Sequence, residues 1–189
     1  MSGKVVQRDI STESGDVVAG NKYVKKGTVK ISQIRRLFRD LSKEYDNEEK
    51  IKEICEELND YDIERDVIGL DAKLIEAGST QNYIDNAEVL KQKFSKKLYH
   101  YNEYQSAQRI FVILLAQVSE LFRAKILPKL NGGKNVIDLD EDIYNEIINP
   151  LNELLNSEAS EDNVLYISSE EIRGMLYYLT GRCHIKWIA

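Results

Sequence analysis

Apolar positions recur every three to four residues over most of this chain, and that interval sets the first expectations. Ile31, Ile34, Leu37, Phe38, Leu41 and Tyr45 fall on one side of a helix drawn at 3.6 residues per turn. Asp46 followed three residues later by Glu49 has the form of a capping box, which predicts a second helix carrying Ile51, Ile54, Cys55 and Leu58 on one stripe. A third helix is expected over about 63–77, stopped by Gly78, with Ser79 or Thr80 capping the next. The fourth runs from about Gln81 to Tyr101 with Tyr83, Ile84, Ala87, Leu90, Phe94 and Leu98 on one face.

The segment 104–127 contains IFVILLAQVSELF, apolar nearly all round in its first half, as suits the central buried helix of a bundle; Pro128, Gly132 and Gly133 should end it. A sixth helix starts at Asp138 or Asp140 and runs to about Asn156, broken or bent at Pro150. Val164 to Ser168 is short and β-leaning, a last helix starts at Ser168 or Ser169 and stops at Gly181, and CHIKWI follows as another candidate strand. The two β-leaning pieces flank a helix and could form one small parallel pair.

Residues 1–27 differ in kind. Short β-leaning pieces alternate there with Gly, Ser and Asn and show no helical period. They read as an arm, either a mobile terminus or a strand that orders against another subunit. The expected fold class is therefore all-α, or mainly α: a bundle of six to seven helices over 28–189, a short β element near the C-terminus, and a β-leaning or disordered N-terminal arm.

Composition narrows this further. With 189 residues, 42% of them apolar, the chain can bury one core of ordinary size, and two prolines with ten glycines leave room for long helices. No signal peptide opens it, and its longest apolar run, Ile110 to Ala116, is far below the roughly 20 residues that span a bilayer. A cytoplasmic protein is expected, and the two cysteines, Cys55 and Cys183, are read as small buried hydrophobes.

The net charge of −6 conceals an asymmetry. Eight basic residues face one acid between Lys22 and Lys43, eleven carboxylates face three basic residues between Glu44 and Asp66, and eleven carboxylates meet no Lys or Arg between Asp138 and Glu171. A basic first helix against an acidic second one would neutralise each other as a hairpin. Direct nucleic-acid contact by the basic stretch, or by the lysines and tyrosines between Lys91 and Tyr104, is a minor expectation.

Chemistry is sparse. Cys183 beside His184 supplies too few ligands for a structural zinc site, since Cys55 and His100 stand apart in helical patterns. As neighbours on an extended strand, the two would point to opposite faces and could not act as thiol and base. Cys183, His184 and Trp187 are therefore read as an anchor that fastens the tail, with the indole N–H in need of a partner. Asp138, Asp140 and Asp142 imitate the start of a calcium loop, but Ile143 stands where glycine is needed and Asn149 where the closing glutamate belongs. Gly132, Gly133 and Lys134 lack the spacing of a phosphate loop. No catalytic residue, cofactor or metal is expected.

Five stretches carry a resemblance: VIGLDAKL (67–74), FSKKLYHY (94–101), SAQ (106–108), Asn149 with Pro150, and GMLYYLTGRCHIKW (174–187). Together they resemble the C-terminal domains of effector proteins in bacterial ABC-three-component conflict systems, associated with defence against phage and other invading DNA. GDVVAGNKYV (15–24) is also similar to short Gly-Asp segments of such proteins. The resemblance implies a non-catalytic coupling module that joins an effector to a middle subunit and an ABC or SMC-like ATPase. It further implies partner contacts by the arm and one bundle face, for which the candidate residues are Asp16, Val18, Tyr23, Arg35, Arg36 and Arg39, and it allows a homo-oligomer. An effector usually precedes such a domain; if Met1 is the natural start, the chain would be a freestanding adaptor. The alternative is a stand-alone helical regulator, antitoxin-like or phage-encoded, acting by protein binding.

Overall fold

The computed structural model describes residues 32–63, 68–159 and 163–187. Seven helices are found there: α1 (Gln33–Asp46), α2 (Glu56–Asp62), α3 (Leu70–Glu76), α4 (Gln81–Tyr101), α5, α6 and α7 (Ser169–Gly181). Helix α5 consists of Gln105–Leu121, a π turn Phe122–Ile126 and a final Leu127–Asn131; α6 consists of Asp140–Ile143, a π turn Tyr144–Ile148 and Asn149–Glu158. The N-terminal arm expected over 1–27 lies outside the described residues.

Both prolines sit inside helices, immediately after a π turn. Leu127 N–H bonds the carbonyl of Phe122, five residues back, and Asn149 N–H bonds that of Tyr144 in the same way. Pro128 and Pro150 come next. A proline in a regular helix lacks one hydrogen bond and clashes with the carbonyl four residues before it; widening the preceding turn removes that conflict. Pro128 thus does not end α5, which continues to the C-cap Gly132, and Pro150 does not break α6.

The most extensive helix interface joins α4 to α7, and α7 also packs on α5, α3 and α6. Helix α7 is the most thoroughly enclosed of the long helices: from Glu171 to Gly181 only Arg173 retains appreciable exposure. That corrects the expectation for α5, whose Gln105, Arg109, Ala116, Gln117 and Glu120 are exposed, so the helix is amphipathic. One glycine gives α7 its position. A Cβ at Gly174 would lie 2.3 Å from the Leu90 carbonyl oxygen and 2.8 Å from Phe94 Cβ, so α4 crosses there in direct backbone contact. Phe94 then stacks edge-on against Phe111 of α5 and Tyr178 of α7, with centroids 5.9 and 5.3 Å apart, joining three helices around one ring.

Four helices end in the same motif, in which a residue with positive φ lets the next N–H reach back to a carbonyl of the last turn. Gly78 (φ 78°) and Gly133 (φ 91°) fill this position after α3 and α5. Glu48 (φ 54°) fills it after α1, where Glu49 N–H bonds Glu44 O at 2.8 Å. Cys183 (φ 64°) fills it after α7, where His184 N–H bonds Leu179 O at 2.9 Å.

Two expectations fail at the non-glycine cases. Asp46 and Glu49 form no capping box: Asp46 is the last residue of α1, the chain runs non-helical to Cys55, and α2 begins only at Glu56. Of the apolar stripe expected there, Leu58 is buried, Cys55 sits at the N-cap and Ile54 is 48% exposed. Likewise, no strand occurs among the described residues, so the expected C-terminal β element is absent. Backbone groups of both β-leaning pieces find partners elsewhere. Lys97 Nζ donates to the carbonyls of Leu165 and Tyr166, and Tyr101 Oη to that of Val164 at 2.6 Å, while His184 and Ile185 N–H both return to Leu179.

Candidate functional site

Three of the predicted partner-binding residues fall on α1. Arg35 is engaged within the fold: its guanidinium donates to the Ser157 carbonyl at 2.8 Å and pairs with Glu158 at 3.3 Å, tying α1 to the end of α6. Arg36 and Arg39 are exposed, and Arg39 lies 3.8 Å from Asp40. Asp16, Val18 and Tyr23 lie outside the described residues. The neutralising hairpin does not form, because no ion pair among the described residues joins the basic run of α1 to the acids of 44–62. Glu44 turns instead to α5, accepting from Ser106 N at 3.0 Å and Ser106 Oγ at 2.6 Å.

The tail residues surround the C-terminus of α7. Trp187 is 1% exposed, meets Phe122 edge-on at 5.0 Å, and donates from Nε1 to Thr180 Oγ1 at 3.0 Å. His184 lies beside Tyr61, ring centroids 5.1 Å apart. Cys183 Sγ is 2.7 Å from Lys73 Nζ, which also donates to the Thr180 carbonyl at 2.7 Å. An ammonium group thus stands at the negative end of α7 and adds a charged donor to the Thr180 carbonyl, which also accepts from Cys183 N at 3.1 Å. Cys183 and His184 face different neighbours, though not through strand geometry: Cys183 is itself left-handed and turns the chain at the helix end.

Sequence reading passed over Lys73, which looks like any surface lysine on a short helix yet is only 8% exposed. Its signal was its place inside VIGLDAKL. The other resemblance stretches supply similar fasteners. Gln108, wholly inside, accepts from Cys55 N at 2.7 Å and donates to the carbonyls of Glu53 at 3.0 Å and Asn102 at 2.6 Å, pinning the loop before α2. Lys97 pairs with Glu171 at 2.8 Å. Burial works against ionisation of that carboxyl, but hydrogen bonds from Lys97 and Ser168 outweigh it and hold Glu171 below the usual carboxylate range. Ser168 and Glu171 form the capping box of α7.

Open features remain on the surface of the described residues. A cleft of about 590 Å³ beside α4 and α6 is lined by Tyr83, Asp140, Tyr144 and Arg173. In it Arg173 pairs with Asp140, and the phenols of Tyr83 and Tyr177 share a hydrogen bond of 3.0 Å. Burial, then the neighbouring Tyr177, pushes Tyr83 far above the ordinary phenol range, so it stays protonated. Along α4, Lys93, Lys96, Lys97 and His100 make a basic face, but Lys93 and Lys97 are paired with Glu170 and Glu171. A furrow of about 670 Å³ lies where the 51–57 loop meets α5, lined by Ile51, Ile54, Val112 and Ile113 together with Glu53, Glu56 and Glu57.

This is a mainly helical domain in which the recognisable sequence motifs lock α3, α4, α5 and α7 to one another. The model of one family, C-terminal domain 9 of the ABC-three component systems, matches residues 69–187, and the chain belongs to that family. Membership implies the other components of such a system as its partners. The match takes in α3 to α7 and the tail through Trp187, and leaves α1 and α2 outside it. No curated protein and no solved structure matches the chain. No helix among the described residues is long and apolar enough to cross a membrane.

Proposed function

We propose that this protein is a non-catalytic coupling module of an ABC-three-component defence system, holding an effector to a middle subunit and an ABC or SMC-like ATPase in the bacterial cytoplasm. The observation that carries the reading is the family match over 69–187. The use to which the matching stretches are put agrees with it: Lys73, Lys97, Gln108 and Cys183 fasten helix to helix rather than converge on one cleft. On this reading the fold presents rigid outer faces to other subunits, and the exposed Arg36 and Arg39 on α1 extend a basic face toward them. The consequence for phage or plasmid DNA is exerted by the effector.

The test is co-purification from the native host, using the tagged full chain with identification of the neighbouring gene products. Recovery of the ATPase or the middle subunit in fixed stoichiometry is expected. Recovery of neither would overturn the reading. Activity of the assembled system should survive Cys183→Ser; its loss, with the complex still assembled, would return the protein to the enzymes.

A further inference from the structure

The furrow under the 51–57 loop continues past α2. A second hollow, of about 490 Å³ and lined by Asp60, Tyr61, Ala116, Glu120, Arg123 and His184, shares Glu57 and Val112 with the first. Along α5 the combined trough follows Gln105, Arg109, Val112, Ala116, Glu120 and Arg123, spaced by three and four residues. That is one uncovered helix face of 18 residue steps, roughly 27 Å at 1.5 Å per residue. It stays open because α2 is only seven residues long and buries Leu58 alone, and because the loop before it never becomes helical.

The trough has apolar floor and acidic walls. Ile54, exposed to 48%, lines it together with Val112 and Ile113, where a partner's side chains would gain by covering them. Glu53, Glu56, Glu57, Asp60 and Glu120 line it against Arg109 and Arg123, and none of the five carboxylates takes part in an ion pair among the described residues. Most acids of α6 and α7 differ, since Asp140, Asp142, Glu146, Glu158, Glu170 and Glu171 are each matched by a lysine or arginine, and only Glu141 and Glu153 have no such pair among the described residues. Negative charge left uncompensated beside apolar surface selects a basic amphipathic occupant.

We infer that the trough between α2 and α5 is the docking site for an amphipathic helix of a partner subunit, with leucine-type side chains on its inner face and Lys or Arg along both flanks. This deepens the coupling reading and rests on it for the identity of the partner. One floor of the trough, α5, lies in the family match and one wall, α2, lies outside it, so the site would give this chain a partner preference of its own.

The probe is a synthetic helix of about 18 residues, leucine along one face and lysine on both flanks, titrated against the full chain by fluorescence anisotropy. A control peptide carries glutamate in place of lysine. The lysine peptide should bind and the glutamate peptide should not. Ile54→Asp, and separately Glu56→Lys with Glu57→Lys, should each weaken binding at least tenfold with unchanged far-ultraviolet circular dichroism; all three positions are exposed, so folding is spared. Absence of binding, equal binding of both peptides, or affinity unmoved by these substitutions overturns the inference. Self-association of the chain that Ile54→Asp abolishes would also overturn it, giving the trough to a second copy. Peptide binding that passes while co-purification recovers no system component would sink the coupling reading and leave the trough standing.

Discussion

Lys73 of α3 reaches the end of α7 and places its ammonium nitrogen 2.7 Å from both the Thr180 carbonyl oxygen and Cys183 Sγ. A residue at position 73 therefore secures a turn more than a hundred residues away, and the tail carrying Trp187 depends on it. Lys73→Met retains most of the stem and removes the donor. It should cost about 1.5–3 kcal/mol through the lost charge-assisted hydrogen bond, read as a lower denaturant midpoint at unchanged slope. An unaltered midpoint would show that the Cys183 N–H alone serves the carbonyl well enough.

Gly174 sets the distance between α4 and α7. Gly174→Ala would ordinarily favour a helix, but here the new methyl meets the Leu90 carbonyl at 2.3 Å. Overpacking should prevail, destabilising by about 3 kcal/mol or more, with a drop in thermal midpoint and loss of near-ultraviolet signal from the Phe94 and Tyr178 cluster. A midpoint equal to the parent's would mean that the two helices can part at little cost.

Cys183 occupies left-handed backbone that β-branched residues resist. Cys183→Val should destabilise by about 1–2 kcal/mol, whereas Cys183→Gly, which relieves the backbone but gives up the contact to Lys73, should remain within about 1 kcal/mol of the parent. Equal effects of the two, measured by chemical denaturation, would refute the backbone as the governing factor.

Glu171 ties stability to acidity. Its carboxyl is held below the usual range in the folded protein, so its contribution is complete above the unfolded value near 4.5 and is lost as pH falls through the lower, folded value. Glu171→Gln should thus be less stable than the parent by about 1.5–3 kcal/mol near neutral pH, and the gap should close progressively below about pH 4.5. A gap independent of pH would assign the loss to packing rather than to charge.

What the sequence discloses about this fold depends on which residues close its helices. Where glycine takes the left-handed position at Gly78, the expected boundary and the observed one agree closely, while before Gly133 the helix runs on past Pro128 to Asn131. Where Glu48 or Cys183 takes it, the reading carried on, into a second helix in one case and a strand in the other, because neither side chain advertises positive φ. Long helices α4 and α7 were legible from their apolar spacing and from Thr80 and Ser168 as caps. The prolines misled for a related reason, since the π turns that accommodate them leave no mark in composition.

The trough was hidden for a physical cause as well. Glu53, Glu56 and Glu57 sit in an acidic run that a basic neighbour seemed bound to neutralise, and only the three-dimensional arrangement sends Arg35 to Glu158 instead. Position along a chain says how many charges there are, while their partners are chosen by packing.

Each π turn amounts to one surplus residue threaded into a helix, and the proline behind it acts as a ratchet. Removing a residue from 122–126 or 144–148 would restore ordinary winding and bring the proline ring against the carbonyl four positions back, at about 3 kcal/mol. The downstream segment, Leu127–Asn131 or Asn149–Glu158, would also rotate by about 100° relative to the core, one residue's share of a 3.6-residue turn. Substitution in these helices is therefore open to drift, whereas their length is fixed.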